Sequence, residues 1–197
     1  IKKPTQYTDF VGKMTYYLNQ YGKDDYIEAI APTVLESKKV TAYKGVMQVY
    51  VKAMVGTQAP DLQVTELVSN VEKPYYVTRL LKSSDFAHNN FEKTLLIFYQ
   101  TGCGHCEDLF AELQNNYDAL NQKGIDIIAI AADDNQEVFE SKVKTFQWKR
   151  TYCDFQGMGG VNFTNYAVQG TPTLFLIDKT GKIEGKYTTL QDVLDKL

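Results

Sequence analysis

An apolar segment that runs directly into a cysteine pair is the feature that most restricts how this chain can fold. Residues 95–99 form a near-continuous apolar run, as expected for a strand buried on both faces. After Cys103, apolar residues recur on one stripe of a predicted helix. They are Cys106, Leu109, Leu113, Tyr117 and Leu120. The sequence therefore predicts a buried strand, a tight turn carrying Cys103, and an amphipathic helix carrying Cys106.

The same alternation of strands and helices extends over the rest of the carboxyl-terminal part. Further strands are predicted at residues 62–68, 75–81, 125–132, 173–178 and 183–188. Helical segments are predicted at residues 83–86, 135–146 and the last few positions, and Gly124 is a plausible helix C-cap. This order indicates an α/β domain that begins with a right-handed βαβ unit.

The first 56 residues have a helical pattern instead. Apolar residues recur at helical spacing between Tyr7 and Tyr21, from about Asp25, and again from about Val40, with a break or kink predicted at Pro32. The segment GTQAP at 56–60 is the best boundary signal. We predict a helical region at 1–56 and an α/β domain at 57–197. We expect the small helical region to pack on that domain or on something outside this chain.

Composition excludes several classes of protein. The net charge of −3 provides no basic footprint for nucleic acid, and no apolar run approaches the roughly 18 residues of a membrane span. Three cysteines among 197 residues are too few for a disulfide scaffold.

We interpret the opening residue, Ile1, as a processed or trimmed terminus. The acidic pair at 133–134 is expected to lie on a solvated face or at a helix start.

The CGHC segment at 103–106 allows several chemistries, of which two can be excluded. A c-type haem anchor needs His directly after the second Cys, where this chain has Glu107. A structural zinc site needs four ligands, and the chain has no second CxxC. We therefore predict no metal and no cofactor. A disulfide that only staples the turn and a redox-active dithiol both remain, although closing so small a loop gains little chain entropy.

A redox dithiol fits each local feature of this segment. Cys103 would lie at a helix N-terminus, where the macrodipole and free N–H groups favour the thiolate. Cys103 is then the expected nucleophile, and Cys106, one turn later, the resolving thiol. Gly104 removes a side chain at the tight turn. His105, when protonated, would add positive charge beside the thiolate.

Three stretches of the chain together resemble the thioredoxin superfamily, and most closely TlpA/ResA-like thiol-disulfide oxidoreductases of bacterial envelopes. They are FYQTGCGHCEDL, GTQAPDL and GTPTLFLIDKTGKI. The resemblance covers about residues 57–197. It implies a thioredoxin-like fold, with a central mixed sheet flanked by helices, and residues 1–55 resemble the helical appendage of Bacteroidetes-type proteins. It also implies that the Thr171–Pro172 bond is cis, that Pro172 packs against the cysteines, and that Thr171 and Gly104 meet the substrate.

The activity implied by the resemblance is disulfide exchange with protein thiols, outside the cytoplasm. The implied partners are proteins with thiols or disulfides and a protein that donates or accepts electrons; nucleic acid is not among them. A membrane anchor, if there is one, is expected in a segment absent from this chain. The alternative is an envelope protein-binding module with a weakly active or vestigial dithiol.

The chain departs from the pattern of the family at three positions. Gly102 replaces the Trp that often precedes the first Cys, while Ile97 and Leu109 stand where relatives carry an acidic residue. The usual proton acceptor for Cys106 is therefore absent, and Glu107 or Glu112 would have to substitute. Peroxidases of this fold place Thr three residues before the reactive Cys, whereas Thr101 is two before it. Cys153 is interpreted as a semi-buried free thiol, or alternatively as a third redox cysteine.

Overall fold

The computed structural model describes residues 3–21, 23–68, 75–88 and 90–197. Its N-terminal region contains two α-helices and one 3₁₀ helix, namely α1 (Pro4–Gln20), α2 (Asp24–Glu36) and Gly45–Tyr50. These pack on one another around a small apolar cluster of their own. The cluster consists of Val11, Ile27, Ala31, Val34, Met47 and Tyr50.

Two details of this region differ from the sequence-based expectation. A break or kink was predicted at Pro32; helix α2 continues through this residue to Glu36, so the break is wrong and the kink stays a prediction. The third predicted helical stretch is also wrong: residues 38–44 are irregular, and a 3₁₀ helix follows them. The division of the chain near Gly56 stays a prediction. Among the described helices, none is both long and apolar enough to cross a membrane.

A five-stranded mixed sheet forms the centre of the rest of the chain, in the order β5–β4–β3–β6–β7. Its strands are β3 (Lys93–Tyr99), β4 (Ile125–Ala131), β5 (Arg150–Cys153), β6 (Thr173–Asp178) and β7 (Ile183–Tyr187). Strands β3, β4 and β5 are mutually parallel, whereas β6 and β7 are antiparallel additions. A separate antiparallel hairpin comprises β1 (Leu62–Val68) and β2 (Tyr75–Leu81). Strand β5 was not predicted from the sequence.

Four helices accompany the sheet. They are α3 (Gly104–Gln122), α4 (Gln136–Val143), α5 (Val161–Asn165) and α6 (Leu190–Leu194). Asn135 caps α4 by accepting a hydrogen bond from the N–H of Val138, as the predicted start requires. Gly124 lies just past α3 with φ +73°, a left-handed conformation that glycine adopts without steric cost. The thioredoxin-like fold predicted from the sequence is confirmed.

Strand β3 contributes to both apolar layers of the domain. Leu95, Ile97 and Tyr99 belong to the layer that contains α3 and α6. Leu96 and Phe98 point to the opposite layer, which contains α5 and the buried side of β1. All five side chains are completely buried, which confirms the strand predicted from the apolar run.

The N-terminal region is attached to the sheet through backbone contacts at β7. The N–H of Gly56 donates to the carbonyl of Ile183, and the N–H of Ile183 donates to the carbonyl of Thr57, at 2.8 and 2.9 Å. The Lys52 ammonium also donates to the carbonyl of Thr164 at 2.8 Å. The helices are therefore connected to the domain by polar contacts as well as by the chain.

Asn162, on α5, is a buried polar residue that extends the hydrogen bonding of β1. Its side-chain oxygen accepts from the N–H of Gln63 at 2.9 Å, and its amide donates to the carbonyl of Gln63 at 2.8 Å. The side chain therefore satisfies both backbone groups of one strand residue, in the way a neighbouring strand would.

We predict that Asn162→Ala lowers the free energy of unfolding by about 1–2 kcal/mol, because both backbone groups of Gln63 lose their partner at a part-buried contact. Asn165→Ala, on the same short helix, is the matched control and should change it by less than about 0.5 kcal/mol. Urea unfolding of the three proteins measures both values. Equal losses from the two variants would contradict the role assigned to Asn162.

Candidate active site

The two cysteines of the CGHC segment occupy different environments at the start of α3. Cys103 is the N-cap residue, with an extended backbone (φ −75°, ψ 118°), and its side chain is half-buried. Cys106 lies within the first turn and is completely buried in the apolar layer of α3. The Cys103 side chain is therefore partly accessible to solvent, whereas the Cys106 side chain is enclosed in the core.

The loop before β6 meets this helix start. The Thr171–Pro172 peptide bond is cis, as the family resemblance implied. The Cys103 Sγ lies 3.5 Å from the carbonyl oxygen of Thr171, 68 residues further along the chain. Because β6 pairs with β3, the two strands bring Thr171 and Cys103 to the same end of the sheet.

The pKa values of the two thiols move in opposite directions. Partial burial raises the pKa of Cys103, but hydrogen bonds from the Cys106 thiol, from the backbone N–H groups at the helix start and from Thr171 outweigh it, so the pKa is lowered. Burial is the main cause that raises the pKa of Cys106 to about 11, and the neighbouring Cys103 raises it further. Cys103 is therefore the more easily ionised of the two thiols.

A buried carboxylate stabilises the turn that leads into Cys103. Asp133 follows β4, is 5% exposed, and accepts hydrogen bonds from the N–H and the hydroxyl of Thr101 at 2.9 and 2.7 Å. The acidic pair was expected on a solvated face or at a helix start. Asp133 is buried, so the solvated face is wrong for this residue, whereas Asp134 is exposed and both residues shortly precede α4. Sequence reasoning missed this contact, although an Asp at the carboxyl end of a strand beside β3 was an available signal.

The glycines of the segment have different structural requirements. Gly102 has φ +79°, which places the tight turn in the left-handed region that favours glycine. Gly104 begins α3, and a Cβ there would meet no heavy atom within 4 Å. The left-handed conformation of this turn therefore lies at Gly102, and Gly104 borders open space at the helix start. His105, next in the helix, is exposed.

No acidic group occupies the positions at which relatives carry one. Ile97 and Leu109 are both buried in the apolar layer of α3. Glu107 forms an ion pair with Lys142, whose ammonium also lies 4.9 Å from the centre of the Phe110 ring. Glu107 is therefore already paired with Lys142. That Glu107 serves as the proton acceptor for Cys106 stays a prediction.

Cys153, at the end of β5, is 3% exposed, and so more buried than the semi-buried thiol expected from the sequence. Its sulfur donates to the carbonyl of Asp133 and accepts from the N–H of Phe155, each at 3.3 Å. Burial raises its pKa to about 12. All three cysteines are unpaired. Within the described ranges, no group of three or more potential metal ligands occurs.

A model of the AhpC/TSA family matches residues 55–186, two thirds of the chain. The chain belongs to the AhpC/TSA family. A curated relative, the thiol-disulfide oxidoreductase ResA of Bacillus cereus, is 29% identical over 163 residues, which covers 80% of this chain and 86% of the relative.

Solved structures of other proteins share the fold of this chain. One, described as the C-terminal domain of a thiol-disulfide oxidoreductase from Bacteroides thetaiotaomicron, has a TM-score of 0.58 at 22% identity. It covers 74% of this chain and 95% of that structure. A thiol-disulfide oxidoreductase from Bacteroides fragilis has a TM-score of 0.54 at 26% identity, with coverage of 71% and 98%. The matches share the thioredoxin-like domain.

We predict that Cys103 is alkylated at least about 100-fold faster than Cys106 at pH 7, because the thiolate is the reactive form and a pKa near 11 leaves only about one Cys106 in 10,000 ionised. Iodoacetamide labelling between pH 5 and 9, followed by peptide mapping, measures both rates. Faster labelling of Cys106 at any pH in this range would show that Cys106, and not Cys103, is the more reactive thiol.

We predict that Asp133→Ala lowers the free energy of unfolding by about 2–3 kcal/mol, because the N–H and hydroxyl of Thr101 lose a charged acceptor. Asp134→Ala, an exposed neighbour, should change it by less than about 0.5 kcal/mol. Thermal or urea unfolding of the two variants gives the comparison. A loss as large in Asp134→Ala would show that the net charge, and not the contact, is responsible.

Proposed function

We propose that this protein is a thiol-disulfide oxidoreductase that exchanges disulfides with protein thiols through Cys103 and Cys106. The observation that carries the proposal is the contrast between the two sulfurs. Cys103 is half-buried at a helix N-terminus with a lowered pKa, while Cys106 is fully buried with a pKa near 11. The proposal is supported by a relative and a solved structure that are both named thiol-disulfide oxidoreductase.

The proposed reaction proceeds in two exchanges. The Cys103 thiolate attacks one sulfur of a substrate disulfide, forming a mixed disulfide, and the other substrate sulfur leaves as a thiolate that takes a proton from solvent. Cys106 then gives up its proton and attacks the Cys103 sulfur, which forms the Cys103–Cys106 disulfide and releases the second substrate thiol. The substrate gains two electrons that the dithiol loses. The same steps in reverse oxidise a substrate.

The neighbouring residues have supporting roles in this proposal. The N–H groups of Cys106 and His105 stabilise the Cys103 thiolate as it forms. Gly104 leaves open space at the helix start, which allows a substrate chain to approach. Thr171 and the cis Pro172 form the opposite side of the sulfur, where backbone groups can hydrogen-bond to an extended substrate.

The proposal includes a location and partners. We place the protein outside the cytoplasm, in the bacterial periplasm or cell envelope, where disulfides persist. The resemblance to envelope oxidoreductases supports this placement. Its partners are then proteins with thiols or disulfides and a second redox protein that resets the cysteine pair.

A binding module with a vestigial dithiol is the second candidate. It is favoured by the apolar residues at Ile97 and Leu109, which leave the buried Cys106 without the acidic neighbour that relatives carry. The two functions differ in one measurable property: an oxidoreductase accelerates disulfide exchange, and a module with an inert dithiol does not.

We predict that the protein catalyses the reduction of insulin by dithiothreitol and that Cys103→Ser abolishes this activity. Cys106→Ser should instead accumulate mixed disulfides through Cys103, because the resolving thiol is missing. Precipitation of reduced insulin reports the activity, and mass spectrometry under non-reducing conditions reports the trapped species.

Cys153→Ser is the matched control for both measurements. Its thiol is buried with a pKa near 12, so loss of this cysteine should leave catalysed reduction within about twofold of the parent. A parent protein no more active than Cys103→Ser would favour the binding module. Loss of activity in Cys153→Ser with the fold intact would instead support the third redox cysteine.

A further inference from the structure

A cleft of about 570 Å³ opens beside the cysteine pair. One side is formed by the first turns of α3, including His105, and another by the loop that carries Thr171 and Pro172. Its volume lies within the roughly 300–1,000 Å³ of ordinary ligand pockets. A substrate segment joined to Cys103 would therefore have this space next to it.

The end of α1 forms another wall of the same cleft. Asn19 and Gln20, more than 80 residues before Cys103, are among its lining residues. Helix α1 is held there by the apolar cluster that it shares with α2 and by the backbone contacts of Gly56 with β7. The N-terminal region thus reaches the site of the reaction.

The walls combine apolar residues with polar ones, and their carboxylates lie on α3. Asp108 and Glu112 are four residues apart, so they lie on the same face of α3, and both are exposed. Neither carboxylate forms an ion pair with any residue that the structure describes. The ammonium of Lys186, also in the lining, lies over the ring of Phe175, 6.0 Å from its centre. The remaining lining consists of His105, amides, hydroxyls, Gly170 and the apolar residues Leu109, Pro172 and Leu190.

We propose that this cleft binds an extended segment of the substrate protein next to its reactive cysteine, and that it favours segments with lysine or arginine. The exposed amide of Gln20 is suited to the backbone N–H and C=O groups of an extended chain, and Asp108 and Glu112 to basic side chains. The helical region is then part of the substrate site. The inference rests on the proposed function and names the substrate class of the same site.

The test uses the Cys106→Ser protein, in which the reaction stops at the mixed disulfide. The probes are short peptides with one cysteine flanked by Lys, Gln or Glu, each blocked with thionitrobenzoate. Attack by Cys103 joins the peptide to the protein and releases the coloured thiolate, so the release measures the rate. Hydroxyethyl disulfide, which is too small to fill the cleft, provides the reference rate for each protein.

At low salt, the Lys peptide should react about tenfold faster than the Glu peptide, and Asp108→Asn with Glu112→Gln should reduce the ratio to about twofold. Asp118→Asn with Glu137→Gln removes the same net charge from exposed positions outside the cleft and should preserve the ratio. Equal rates for the Lys and Glu peptides, or an equal loss in the control, would overturn the charge preference.

A separate variant tests the wall of the cleft that α1 forms. Gln20→Ala should lower the rate of every peptide, relative to hydroxyethyl disulfide in the same protein, by about threefold. Asn115→Ala, on α3 outside the cleft, should not lower it. An unchanged ratio in the α1 variant would remove the helical region from the substrate site. Failure of hydroxyethyl disulfide itself to react would overturn the proposed function.

Discussion

The complete burial of β3 on both faces is the constraint on which the rest of this structure depends. Side chains of alternating direction anchor the strand in two apolar layers, so its carboxyl end has little freedom. The turn at Gly102 and the first residue of α3 begin from that fixed point. Cys103 therefore faces Thr171 because β3 ends, and the antiparallel β6 begins, at the same end of the sheet.

Local patterns were sufficient to predict most of the domain. The run at 95–99, the apolar stripe after Cys103 and the strand after Pro172 each carry their signal within about ten residues. The third N-terminal stretch was mistaken because Met47 and Tyr50 are indeed buried, but at a spacing of three that a 3₁₀ helix shares with an α-helix. Strand β5 was missed because its four residues are too few to show a period.

The site was predictable only to the extent that its residues are close in sequence. The cysteine pair and its helix follow from one segment, and the Thr171–Pro172 loop came from the family resemblance. Asp133 was interpreted as solvated because an acidic pair after a strand resembles a helix start. Its partner, Thr101, is 32 residues away, and only the parallel pairing of β3 with β4 brings the two together. Contacts of this kind depend on topology, which no local pattern contains.

The same apolar packing that fixes the site also determines which step of the proposed reaction is difficult. Burial, with a smaller contribution from the neighbouring Cys103, raises the pKa of Cys106 to about 11. In a mixed disulfide the Cys103 sulfur carries no charge, so the second contribution disappears while burial remains. Ile97 and Leu109 offer no group to take the proton. Attack by Cys103 therefore levels off above its own lowered pKa, whereas resolution by Cys106 continues to accelerate as the pH rises. Resolution is therefore the step expected to depend more steeply on pH, and the proposed cleft would hold the substrate segment for as long as the mixed disulfide lasts.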